Sequence, residues 1–253
     1  MATSGTLELL FHDTDLAAVA KPAGLAAIPG RAETSSVLEV LAAQLGVPCA
    51  GEADPRVRVV HRLDKDTSGV MLFALSRSAQ QFVSHQFQNN TVAKEYLALV
   101  RGRPADEQGV VDAPIGPHPT SPKRMTVLKH GGRPARTEWR VEETFRGFAL
   151  VRCFPRTGKT HQIRVHLLHA GMPLAVDPLY GSAAPILLSQ FKRGYRPPAR
   201  GQDERPLIER LTLHAEKLAF DHPDAARGRL ELVAELPRDF RAVLNQLRRN
   251  ARG

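Results

Sequence analysis

Cysteine is scarce in this chain: Cys49 and Cys153 are the only two among 253 residues. Their spacing fits neither a redox pair nor a metal-ligand pair, which argues against a disulfide framework and a zinc ribbon and makes a reducing, cytoplasmic setting the default. Long apolar runs are missing as well. No stretch approaches the roughly 20 apolar residues that cross a bilayer, and the opening MATSGTLELLFHDTD lacks a basic segment followed by an apolar run and a small-residue cleavage site. Neither a membrane span nor a secretory leader is expected. The chain carries no Walker A or dinucleotide fingerprint, and the missing HExxH spacing argues against a metal site. It has no internal repeat, and no break in composition places a domain boundary. On size grounds one large domain or two modest ones are both allowed.

What remains is ordinary for a folded protein, with 42% hydrophobic and 24% charged residues and enough length for a sizeable core. The charge balance is less ordinary. Lys and Arg number 35 against 26 Asp and Glu, a formal net charge of +9. That excess suits a polyanion whose condensed counterions are released on binding, although a basic surface with no such partner would read the same way.

Leu7 to Phe11 and Leu16 to Ala20 read as strands joined by the polar turn His12 to Asp15. Ser36 with Glu39 fits a capping box for a helix through about Gln44, closed by Gly46 and Pro48. Val70 to Leu75 is short and apolar enough for a buried strand, and Ser76 can cap a helix over Arg77 to Gln88 with Ala79, Phe82, Val83 and Phe87 on one core-facing side. Val92 to Val100 alternates as a strand, and Thr137 to Glu143 with Ala149 to Phe154 reads as a hairpin around Arg146-Gly147. Thr160 can cap a helix over His161 to His169, and Pro237 can open a last one with Phe240, Val243, Leu244 and Leu247 on one side. The segments 116–136 and 182–206, rich in Pro and Gly and each bearing five Lys or Arg, read as loops, either solvated or gripping phosphate. This irregular order of elements predicts an α+β fold.

Two stretches carry candidate chemistry. His61-Arg62-Leu63-Asp64-Lys65-Asp66-Thr67-Ser68-Gly69 is a polar, turn-forming segment between Val59-Val60 and the apolar run, placed so that a carboxylate could face a cleft. Asp64 and Asp66 could equally be turn residues that bond their own backbone. The second stretch, Thr160 to His166, sets Gln162 and Arg164 in the first turns of a helix. An Arg there could hold a carboxylate ionised, or could lie on the surface. His161 and His166 point to different helix sides and read as core or surface residues, not metal ligands.

HRLDKDTSG resembles the catalytic motif of the RluA-type RNA pseudouridine synthases. Further pieces agree in order: Lys21-Pro22-Ala23-Gly24-Leu25, Lys94 to Ala98, Gly158 to His166, Asp177-Pro178-Leu179-Tyr180-Gly181 and Leu213-His214-Ala215. The departures are Lys159 in place of Arg, Ala20 in place of Asn and Val176 in place of Gly. The resemblance, which runs from about Leu7 to Pro237, implies a single α+β catalytic domain over residues 1–253 with its core over about 7–237, on a mixed, largely antiparallel sheet with flanking helices and a basic cleft, without the S4 RNA-binding domain, for which too few residues precede Lys21. It implies that Asp64 is the nucleophile, that Tyr96 stacks on the target base and acts as general base, that Arg164 pairs with Asp64, and that Arg62 fills the gap left by the flipped nucleotide. Further RNA contacts are expected from His61, Lys21, Lys159, Thr160 and Gln162. Tyr96 as a strand-core aromatic and Arg62 as a plain phosphate contact are the bland alternatives.

The activity so implied is an isomerisation of uridine to pseudouridine in structured RNA, ribosomal RNA favoured over transfer RNA, by a monomer that needs no cofactor because nothing is oxidised and neither water nor a phosphoryl group is consumed. A non-catalytic RNA-binding or ribosome assembly protein on the same fold is the main rival. A zinc deaminase lacks its H-x-E and P-C-x-x-C elements here, and a glycosidase built on Asp64 and Asp66 would need two carboxyls farther apart than neighbours in a turn.

Overall fold

The first turn shows how local chemistry starts the fold. Asp13 Oδ1 accepts the backbone N–H groups of Asp15 and Leu16, each at 2.8 Å, and this Asx-type turn joins β1 (Glu8–His12) to β2 (Leu16–Lys21). The computed structural model describes residues 6–30, 35–49, 56–196 and 202–251. Within these the chain divides into two compact units, one of residues 1–95 and 214–235 and one of residues 96–213 and 236–253.

In the first unit, α1 (Val37–Leu45) begins as the capping box predicts: Ser36 Oγ accepts the Glu39 N–H and donates to Glu39 Oε2. Short β3 (Arg58–Val59) and long β4 (Ser68–Ala74) are antiparallel. Every residue of β4 is buried, as its unbroken apolar run requires. α2 (Arg77–Gln88) is capped by Ser76, whose hydroxyl accepts from Ala79 N–H. One expectation for α2 fails. Ala79 and Val83 face the core, but Phe82 is 43% exposed, and the side chain buried beside them is Gln86, whose amide bonds both the N–H and the C=O of Asp221.

The return segment of this unit supplies β11 (Leu213–Asp221) and β12 (Arg229–Val233). β2 pairs antiparallel with β4, β12 antiparallel with β11, and β4 parallel with β11. Leu16, Ala18, Val70, Leu72, Val83, Phe220 and their neighbours form its core.

The second unit contains most of β5 (Ala93–Arg101), then β6 (Gln108–Asp112), a separate hairpin of β7 (Ile115–His118) and β8 (Ser121–Val127), and the long hairpin of β9 (Arg136–Phe145) and β10 (Phe148–Pro155). β5, β10, β9 and β6 pair antiparallel in that order. The β7–β8 hairpin corrects the reading of 116–136 as a loop. By contrast 182–206 carries only a short 3-10 turn at Leu188–Gln190 among its described residues, and 197–201 lie outside them.

α3 (Gln162–His169) starts one residue later than expected. Its N-cap is His161, in a left-handed conformation with φ 55° and without a side-chain cap, and not Thr160. α4 (Arg238–Asn250) buries Phe240, Val243, Leu244 and Leu247, the stripe its sequence predicts. The α+β class and the largely antiparallel pairing thus stand.

Candidate active site

Asp64 lies in the first unit, in the loop that feeds β4. Its backbone carbonyl accepts the Thr67 N–H at 3.1 Å, which closes a turn with Lys65 and Asp66 at its exposed tip. The loop is held from inside by Lys21, a lysine only 1% exposed. Its ammonium donates to the carbonyls of Pro22, Lys65 and Thr67 at 2.9, 2.7 and 2.8 Å. A lysine buried in this way is stabilised only if its donors are satisfied, and here they are satisfied by the strand exit and the Asp64 turn. Lys21 therefore fixes the loop from inside the unit.

His61 anchors the same loop at its start. Its Nε2 accepts the Leu72 N–H at 2.9 Å, and its ring stacks on Phe87 with centroids 4.7 Å apart. Burial, with the nearby Lys94 ammonium as a second cause, holds the imidazole down at about 3. His61 is thus a neutral acceptor that ties loop to strand. Arg62, next to it, is exposed.

Gly69, the second residue of β4, is required by geometry. Its φ is +125°, and a Cβ there would lie 2.1 Å from the Ala215 carbonyl oxygen of the parallel neighbour β11.

In the second unit, Arg164 is buried on the first turns of α3. The residue that grips it was given no role by sequence reasoning. Asp177, 1% exposed, receives Nε and Nη2 of Arg164 on its two oxygens, each at 2.8 Å. Asp177 Oδ1 also accepts the N–H groups of Leu179 and Tyr180. The Tyr180 ring lies 4.9 Å from the guanidinium carbon, and its hydroxyl meets His161 Nδ1 at 2.7 Å and accepts the Met125 N–H at 2.6 Å. The Asp-Pro-Leu-Tyr-Gly run could have signalled this, since an Asp ahead of a turn commonly bonds the amides two and three residues on.

Gln162 is buried, and its amide is fully engaged. Nε2 donates to Arg136 O and Thr137 Oγ1, while Oε1 accepts from Thr157 Oγ1 and Lys159 N. It braces the turn ahead of α3. Lys159 is half-buried and Thr160 exposed. Tyr96 is half-buried on β5, opposite Cys153 of β10, and packs against the cluster that Ile163 and Leu167 of α3 enter. His166 bonds Thr137 Oγ1 and Ala113 O, a core role. Among the described residues no group of three or more His, Cys, Asp or Glu could hold a metal ion, and no helix is long and apolar enough to cross a membrane.

The loop bearing Asp64 and the helix bearing Arg164 both fall within residues 15–169, the span matched by the RNA pseudouridylate synthase family model. The chain belongs to that family. Among curated relatives of the family, a ribosomal large subunit pseudouridine synthase D of Nitrosomonas europaea is 42% identical over 243 residues, covering 96% of this chain and 65% of the relative. An uncharacterized RNA pseudouridine synthase of Bacillus subtilis is 35% identical over 245 residues, covering 96% of this chain and 74% of the relative. Among solved structures, the human RNA pseudouridylate synthase domain containing 4 matches with a TM-score of 0.68 and 28% identity over 95% of this chain and 93% of that one. The α+β architecture described above is therefore a pseudouridylate synthase architecture.

Proposed function

We propose that this chain isomerises uridine to pseudouridine in structured RNA, with large-subunit ribosomal RNA as substrate and transfer RNA as the lesser alternative. The observation that carries the reading is the Asp64 turn. It is a carboxylate-bearing loop anchored from within its own unit by Lys21 on three carbonyls and by His61 on Leu72 N–H. Such anchoring is what a nucleophile needs and what a solvated turn does not. The relatives known as ribosomal large subunit pseudouridine synthases support the ribosomal target. The net charge of +9 supports a polyanionic partner. Free Cys49 and Cys153, the latter with its thiol pushed by burial up to about 12, suit a reducing cytoplasm.

The roles below follow the motif resemblance. A uridine leaves the stack, and Arg62 occupies the gap. Asp64 breaks the bond from base N1 to sugar C1′, either by attack at C1′ or by removing the C2′ proton, and the electron pair departs with the uracil. The uracil turns and rejoins C1′ through C5, which displaces the Asp64 carboxylate from C1′ on the first route and on the second is completed by return of the proton from Asp64 to C2′. Tyr96, stacked on the base, takes the surplus C5 proton, N1 regains one, and Arg164 balances the carboxylate charge. Bonds and electrons balance with no oxidant and no water consumed, and the enzyme acts as a monomer.

Large-subunit ribosomal RNA transcribed with tritium at uridine C5 tests this, because formation of the new bond releases that hydrogen. The wild-type chain should release tritium, and Asp64→Asn should bind the RNA equally and release none. Release by both at the same rate would remove Asp64 as nucleophile. Binding without release by the wild type would favour the assembly-protein rival.

A further inference from the structure

A buried serine and histidine sit where the Asp64 loop enters the sheet, and the chemistry above gives neither of them a role. Ser68 is 0% and His214 1% exposed. They are register partners in the short parallel pairing of β4 with β11, followed by Gly69 opposite Ala215. On its other side β4 pairs with β2, Gly69 opposite Lys21. Three strands therefore meet at the first two residues of β4.

Ser68 Oγ lies 2.9 Å from His214 Nδ1, and His214 Nε2 lies 3.0 Å from the Ala234 carbonyl. A carbonyl can only accept, so Nε2 carries the ring hydrogen. In the neutral ring Nδ1 then offers a lone pair, and the Ser68 hydroxyl donates to it. Both partners are buried, so the bond ties the side chain of Ser68 to β11 out of reach of competing water.

We infer that His214 is a positioning residue for Asp64, acting through Ser68. The preceding residue, Thr67, closes the Asp64 turn through its N–H and is gripped by Lys21 through its carbonyl. Asp64 thus stands four residues from Ser68 along a short and fully bonded path. A shift of Ser68 moves the turn as a body, and the carboxylate moves with it. The catalytic part of this inference rests on the pseudouridine synthase reading; the mechanical part does not.

Two substitutions divide the ring into its halves. His214→Asn puts an amide where Nδ1 lies and keeps an acceptor for Ser68. His214→Gln puts one where Nε2 lies and keeps a donor for Ala234 O. With the tritiated ribosomal RNA, His214→Gln and Ser68→Ala should each lower kcat by roughly 10- to 100-fold with KM changed by less than about threefold. His214→Asn should stay near wild type. The Ser68→Ala and His214→Gln pair should be no worse than either alone, because both remove one bond.

Amide exchange of Thr67, followed by NMR on the free protein, gives a readout that needs no turnover. It should speed up by about tenfold or more in His214→Gln and Ser68→Ala, as local opening becomes easier, and remain unchanged in His214→Asn. Equal losses for the Asn and Gln variants, losses that merely track the unfolding midpoint, or an unaltered Thr67 rate in Ser68→Ala would each overturn the inference. If the wild type released no tritium, the pseudouridine reading would fail, and the exchange rates alone would still decide the role of His214.

Discussion

Asp177 holds Arg164 side-on, Oδ2 at 2.8 Å from Nε and Oδ1 at 2.8 Å from Nη2, with both side chains nearly closed to water. The fork geometry needs a guanidinium and an ionised carboxylate together. Breaking such a buried pair from one side leaves the other charge without compensation, at a cost of about 3–5 kcal/mol. Asp177→Ala should therefore lower the unfolding free energy obtained from urea titration by an amount in that range and abolish tritium release. Arg164→Lys, which keeps the charge and loses the fork, should lose activity by a larger factor than its smaller stability loss explains. An Asp177→Ala variant as stable and active as wild type would show that Arg164 is fixed by other means.

His61 gives the acid side of the stability curve a definite sign. Burial lowers its imidazole from an ordinary 6.5 to about 3 in the folded chain. Between those values the unfolded chain takes up a proton that the folded chain refuses, so acidification favours unfolding. The contribution is intact above about 6.5 and is lost progressively as the pH falls toward 3. His61→Gln keeps an acceptor near the Leu72 N–H and does not titrate. Its stability deficit relative to wild type, measured by urea unfolding at pH 7.5 and pH 4.5, should shrink at the lower pH. A deficit that is the same at both would show that His61 is not the group responsible.

Sequence reasoning succeeded where the signal was local. α1, α2 and α4 begin where Ser36, Ser76 and Pro237 place them, because a cap acts within its own first turn. The failures share a non-local cause. The β7–β8 hairpin was hidden by its loop-like composition, and Met125 N–H is satisfied by Tyr180 OH, 55 residues away. Phe82, expected on the core face, is exposed, and Gln86 is buried there because its partners lie on β11. In the site, the motif located the loop of Asp64 and the helix of Arg164. The inward turn of Lys21 and Gln162 could not be read from residue type, since the groups that satisfy them come from other segments. Asp177 had no assigned role for the same reason.

Gly69 should be the least replaceable glycine of the first unit. Gly24 also has a positive φ, +84°, but nothing lies within 4 Å of a Cβ placed there. Gly24→Ala should cost about 1–2 kcal/mol from the backbone alone. Gly69→Ala adds a collision with Ala215 O and C at 2.1 and 2.6 Å, backbone atoms that cannot rotate away. Its expected outcome is a parted β4–β11 pairing, visible as loss of soluble protein or of slow-exchanging amides at Gly69 and Ala215. A Gly69→Ala protein no less stable than Gly24→Ala would mean that the pairing is more tolerant than its geometry indicates.

Arg62 of the Asp64 loop and, separately, the residues of the turn before α3 are sorted into RNA contacts and braces by their salt dependence. A cation that neutralises a phosphate releases counterions, so removing it lowers the slope of log affinity against log salt by roughly 0.7–0.9. Exposed Arg62 and half-buried Lys159 are the candidates for that behaviour, and Arg62→Gln and Lys159→Gln should each show it. Gln162 carries no charge, and its amide is engaged with Thr157, Lys159, Arg136 and Thr137. Gln162→Ala leaves those buried partners unsatisfied, at about 1–3 kcal/mol each for those that water does not reach. Its thermal midpoint should fall while the salt slope stays at the wild-type value. The two classes are told apart by titrating labelled ribosomal RNA at several salt concentrations beside a thermal melt. A Gln162→Ala variant with wild-type stability and weakened RNA binding would return Gln162 to the contact surface.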